Sequence, residues 1–161
     1  MNVKHVKIEL DNTCPAYWVP QLNDMEAWLN SAATKLPWTG GPATVGVRIV
    51  DHQDSAALNR QYRGKDKPTN VLSFSAQLPE SVRNVLNPVP LGDLAVCAPL
   101  VEAEAAAQGK SPEAHWAHLL THGFLHLNGF RHDTEADAKI MENLEITVLK
   151  ALGFTNPYLV Y

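Results

Sequence analysis

Cysteine is nearly absent. The chain of 161 residues has two, Cys14 and Cys97, far apart and in no metal-ligand spacing. A cysteine-rich zinc module is excluded, a disulfide is possible but not implied, and a reducing cytoplasm is the expected setting. Long apolar runs are missing too. None approaches the roughly 20 residues that a membrane span needs, so no membrane partner is expected. The opening MNVKHVKIEL interleaves charge with apolar residues and lacks the core of a secretory signal. There is no excess of positive charge, with 13 Lys and Arg against 17 Asp and Glu and a net charge of −4. That excludes a generally basic nucleic-acid coat and confines any polyanion contact to a local patch. Neither an internal repeat nor a linker divides the chain. One domain over residues 1–161 is expected, long enough to bury a sizeable core.

Periodicity supplies the elements. Alternation predicts strands over Val3–Leu10 and Ala43–Val50, with further strands at Asn70–Ala76 and about Leu94–Cys97. Helical spacing predicts Gln21–Leu36, broken by Pro37 and Gly40-Gly41-Pro42, and Asp51–Tyr62, capped by Asp51. Leu78–Pro90 holds three prolines and reads as a loop. An alanine-rich helix over Ala98–Gln108 stops at Gly109. Ser111 and Pro112 then start a helix running to about Asn128, and Thr134 caps a last one reaching about Leu152. The sum is an α+β fold: a mixed, roughly four-stranded sheet packed with about five helices, the helix 112–128 central.

The stretch His122–His132, HGFLHLNGFRH, carries the strongest chemical signal. His122 and His126 are one turn apart on one helix face. Gly129 can adopt the left-handed conformation that ends a helix and returns the chain, bringing His132 to the same point. Three imidazoles with an open fourth position make a catalytic metal site, with zinc as the first candidate. His118 and His122 are also an i, i+4 pair, but only the 122/126 register has the glycine and third histidine downstream. His118 is then a partner of a ligand or an ordinary helix-face residue. His115 lies about 10 Å along the axis from His122, too far to share its ion. The same spacing occurs in metzincin peptidases, where Glu follows the first His as general base. Here that position is Gly123, which argues for another metal-assisted hydrolysis.

A second signal is Arg60-Gln61-Tyr62-Arg63-Gly64-Lys65-Asp66-Lys67, four cations and one acid in an acidic chain. Arginine suits phosphate oxygens and can stabilise charge in a phosphoryl transition state. The alternative is a solvated basic loop. Tyr62 offers a face for an unpaired base, and Phe74 does so too unless it joins the core. Asp93 either orients a histidine or accepts a proton, or is a turn residue.

Taken together, these blocks resemble the YbeY family of bacterial endoribonucleases. Leu58–Phe74 is similar to its long first signature, Leu91-Gly92-Asp93 to its second, His115–His132 to its metal helix, and Ala151-Leu152-Gly153 to its ending. The resemblance implies one Zn²⁺ per chain on His122, His126 and His132, with Arg63 as the catalytic arginine. It also implies cleavage of single-stranded RNA in 16S rRNA 3′-end maturation and ribosome quality control. The implied partners are rRNA, the ribosome and small-subunit assembly proteins, with no DNA. The rival expectations are a non-enzymatic, metal-containing ribosome-assembly factor and a metallopeptidase. Phe130-Arg131 stands where many members have Tyr-Asp. Arg131 either aids phosphate binding or takes the place of a carboxylate beside the third ligand, a role then open to Asp133.

Overall fold

Alternating residues on four strands build one sheet, and helix-period residues cover it. The structure is a computed structural model describing residues 6–37 and 41–159. Its elements are β1 (Val6–Asn12), α1 (Leu22–Thr34), β2 (Ala43–Val50), α2 (His52–Arg63), β3 (Val71–Ser75), α3 (Glu80–Arg83), β4 (Val89–Cys97), α4 (Ala98–Gln108), α5 (Pro112–Leu127) and α6 (Glu135–Ala151). The expected strand residues 3–5, and Gly40 of the first helix break, lie outside the described residues. The sheet order is β1-β2-β4-β3. β1, β2 and β4 run parallel, and β3 is an antiparallel edge strand on β4. The α+β expectation is met, with a mixed sheet of four strands and six helices among the described residues.

Val45, Val47 and Ile49 of β2 join Leu94 and Val96 of β4 in a fully buried row. Their alternates Gly46, Arg48, Asp93 and Ala95 face the other way, because successive side chains on a strand point to opposite faces. The helix α5 packs against α1, α4, α6, β3 and β4, which makes it central as expected. Trp116, Leu120 and Phe124 on it are fully buried. Side-chain oxygens cap three helices as the sequence predicts. Asp51 accepts from Asp54 N–H at 2.8 Å, Ser111 from Ala114 N–H at 3.1 Å and Thr134 from Asp137 N–H at 3.1 Å. Such caps contribute about 1 kcal/mol each.

Two expectations need correction. The Leu78–Pro90 stretch contains the short helix α3, and β4 begins at Val89 rather than Leu94. An irregularity hides the start of β4. Its register against β2 shifts between Thr44 and Val45, and Gly92 there has φ +140°. A bulge breaks the two-residue period on which strand reading depends. Gly92 also lets two elements close on β4. A Cβ there would stand 2.2 Å from the Phe74 carbonyl oxygen of β3 and 2.9 Å from Leu127 at the end of α5. The missing side chain therefore brings the edge strand up to the helix end that carries the histidines.

Candidate metal centre and cationic cleft

The end of α5 is closed by a double hydrogen-bonded cap. Phe130 N–H donates to Leu125 O at 3.1 Å, and Gly129 N–H donates to His126 O at 3.0 Å. Gly129 sits at φ +93°, the left-handed conformation this cap needs. Reversal of the chain puts Phe130 against the core and brings His132 back beside the helix. Ring centroids lie 4.6 Å apart for His122 and His126, 4.8 Å for His126 and His132, and 5.5 Å for His122 and His132. One nitrogen of each ring lies within 4.8 Å of the other two. The three residues singled out from spacing converge as expected.

Two of these histidines have hydrogen-bond partners that fix where their protons sit. His126 Nδ1 is 2.9 Å from the Phe130 carbonyl, which only accepts, so Nδ1 carries the proton and Nε2 is bare. His122 Nδ1 is 3.2 Å from Glu145 Oε2, which only accepts, so Nδ1 carries a proton and Nε2 faces His126. The two Nε2 atoms are 3.1 Å apart. Two ring nitrogens that close either share a proton or converge on one cation. The donor set therefore fits a divalent metal held by His122, His126 and His132, with room for a further ligand. Burial, and then the neighbouring His122, lower the His126 pKa below its ordinary 6.5. That favours the neutral imidazole that ligates.

Behind His122 stands a residue that sequence reading passed over. Glu145 of α6 is 1% exposed. Its Oε1 accepts from His118 Nε2 at 2.6 Å and from the Tyr158 hydroxyl at 2.8 Å, while Oε2 accepts from His122. Burial pushes this carboxyl up, but the hydrogen bonds from His118 and His122 prevail and hold it at about 2. Burial, and then the Glu145 charge, push the Tyr158 phenol well above its usual range, so it keeps the proton it donates. His118 is thus tied to the carboxylate that backs His122. His115 is structural, because its Nε2 and Asn70 Nδ2 both meet Glu104 Oε1, at 2.8 and 3.0 Å, joining α5, α4 and the entry to β3.

The opposite wall is built by α2 and the segment after it. Ser55 Oγ donates to Thr69 O at 2.8 Å and accepts from Thr69 N–H at 2.9 Å, and Asn59 Nδ2 donates to Lys67 O at 2.8 Å. The basic segment is therefore pinned to α2. Arg63 donates to Ser73 O at 2.9 Å and Tyr62 O at 3.1 Å, with its guanidinium carbon 5.5 Å from the Phe74 ring centre. Arg63, Lys65, Lys67, Arg131 and Asp133 line a cleft of about 1040 Å³ with the three histidines. Four cations and one carboxylate make it locally positive in a chain of net charge −4.

Other candidates fall elsewhere. Arg60 turns to Asp66 at 3.3 Å. Tyr62 packs edge-on to Phe74 at 5.0 Å and lines a separate groove with Asp93 on the far face of the sheet. Phe74 borders both clefts and lies outside the core. A Cβ on Gly46 would lie 2.0 Å from Asp93 Oδ1, so that carboxylate lies over Gly46 on the sheet face away from α5. Asp133 pairs with Arg131 at 3.5 Å, and the carboxylate that meets one of the three histidines is Glu145.

The fold and site define a class: an α+β protein whose three convergent imidazoles can hold one metal ion in a cationic cleft. Comparison with known proteins narrows it. The sequence model of the family described as Endoribonuclease YbeY matches residues 18–153. A curated relative named Endoribonuclease YbeY, from Methylococcus capsulatus, is 54% identical over 140 residues, 87% of each chain. One of the same name from Coxiella burnetii is 42% identical over 159 residues, covering 95% of this chain and 98% of its own. The solution structure of TM1509 from Thermotoga maritima has a similar fold, with TM-score 0.56 and 23% identity over 96% of this chain and 99% of that one. The chain belongs to the YbeY endoribonuclease family.

Proposed function

We propose that residues 1–161 form one metal-dependent hydrolase domain that cleaves single-stranded RNA. The observation that carries this reading is the convergence of three imidazoles opposite a cationic wall in one cleft. Zinc suits three neutral imidazoles with an open position. When bound, the metal would supply Lewis acidity for the phosphate and a lowered pKa for its water. His122, His126 and His132 would hold it. Arg63 is fixed by two carbonyls and a ring, so it meets a phosphate without reorganising. Lys65, Lys67 and Arg131 take neighbouring phosphates along the strand, each adding salt-dependent affinity.

The names of the relatives point to RNA as the polymer. The cell-level part of the reading is processing of the 16S rRNA 3′ end and ribosome quality control in the cytoplasm. Among the described residues no helix is long and apolar enough to cross a membrane. A peptidase reading lacks its base. A Cβ on Gly123 would lie 2.7 Å from Leu94 Cδ2, so a side chain there runs into the packed face of β4.

The test is cleavage of an end-labelled unpaired RNA and its matched duplex by zinc-loaded protein. Cleavage of the unpaired strand alone is expected. A protein that binds metal and RNA yet cuts neither is a binding factor, and the enzymatic reading fails. The product ends identify the nucleophile, since a 2′,3′-cyclic phosphate shows attack by the 2′-OH and excludes direct attack by water.

A further inference from the structure

We infer that Glu145 is the positioning residue of the metal centre, the group that selects the ligating form of His122 and aims its Nε2 at the ion. The inference rests on the metal reading above. A carboxylate with 1% exposure is costly to bury unless its oxygens are satisfied. Those of Glu145 are divided between two tasks. Oε1 is clamped by two donors, His118 Nε2 at 2.6 Å and the Tyr158 hydroxyl at 2.8 Å. Oε2 is left to His122 Nδ1 at 3.2 Å. The clamp comes from two places in the chain. His118 is one turn before His122 on α5, and Tyr158 belongs to the segment after α6. The carboxylate is thereby held against rotation, and the imidazole is held with it.

The two helix ligands differ in this respect. His126 is backed by a neutral carbonyl, that of Phe130. His122 is backed by a full negative charge, which raises the donor strength of the opposite nitrogen. Glu145 is not among the residues lining the cleft, so it touches neither the ion nor the substrate. Its effect must pass through His122.

The experiment measures Zn²⁺ affinity at neutral pH by competition with a chromophoric chelator, for full-length wild type, Glu145→Gln and Glu145→Met. Glutamine keeps one acceptor oxygen and loses the charge, whereas methionine fills the space with no acceptor. The expected order is wild type tightest, Glu145→Gln weaker by about 10-fold and Glu145→Met weaker by about 100-fold, the range seen when partners of metal ligands are removed. A role limited to filling space would leave all three equal, and that result overturns the inference. A second readout needs no variant. The ¹H–¹⁵N histidine spectrum of metal-free wild type is expected to show His122 protonated on Nδ1. Protonation on Nε2 alone, with Nδ1 bare, overturns the inference, including where Glu145→Met fails to fold. A wild type that binds no zinc overturns the metal reading instead, and the spectrum still decides the role of Glu145.

Discussion

His126→Ala is expected to abolish RNA cleavage and to weaken metal binding by about 100- to 1000-fold. Binding free energies of about 10–16 kcal/mol for four-ligand zinc sites put each ligand near 3 kcal/mol. The residue makes two contacts, and only one concerns the ion. Its Nδ1 also donates to the Phe130 carbonyl at 2.9 Å, inside the cap that ends α5. Losing that bond costs about 1 kcal/mol of stability. His132→Ala separates the two effects, because His132 is exposed and lies beyond the helix. It should lose metal and cleavage with the metal-free melting temperature unchanged. Metal content by atomic emission, cleavage rate and thermal melting of both variants check this. Undiminished zinc in His132→Ala would remove it from the ligand set.

Arg63→Ala is expected to lower the cleavage rate by about 100- to 1000-fold while zinc content stays at the wild-type level. That is the loss of about 3–4 kcal/mol typical of one preorganised donor to a charged transition state. The geometry favours the upper part of the range, because Ser73 O, Tyr62 O and the Phe74 ring already fix the guanidinium. Lysine at this position restores charge but not the fork that uses both carbonyls, so Arg63→Lys should recover only part of the rate. Single-turnover rates at saturating RNA make the comparison. An unchanged rate in Arg63→Ala with weaker RNA binding would reduce Arg63 to an anchor for the strand.

The legible parts of this protein are the local ones. His122, His126, Gly129 and His132 fall within eleven positions, and helix geometry plus one left-handed glycine brings them together. The caps Asp51, Ser111 and Thr134 act within three residues and were equally plain. The start of β4 was hidden because Gly92 interrupts the alternation that reveals a strand. Glu145 was missed for a different reason. Its partners His122 and His118 lie 23 and 27 positions away, and only the packing of α6 on α5 brings them together. A signal was present nonetheless. Met141, Glu145, Val148 and Leu149 fall at helical spacing and are all buried, so one acid stands in an apolar stripe. Asp93 could have been assigned to the far face by alternation from Leu94. Arg60 looked equivalent to Arg63 because nothing local shows that Asp66 turns it away from the cleft.

The central claim is that one ion on His122, His126 and His132 makes this cleft an RNA hydrolase. Its most direct test is the cleavage rate of an unpaired RNA by metal-stripped protein as zinc is added in fractions of an equivalent. The expected rate is at background without metal, rises in proportion to zinc, and levels off at one ion per chain. Full cleavage by the stripped protein, unaffected by added metal, would contradict it.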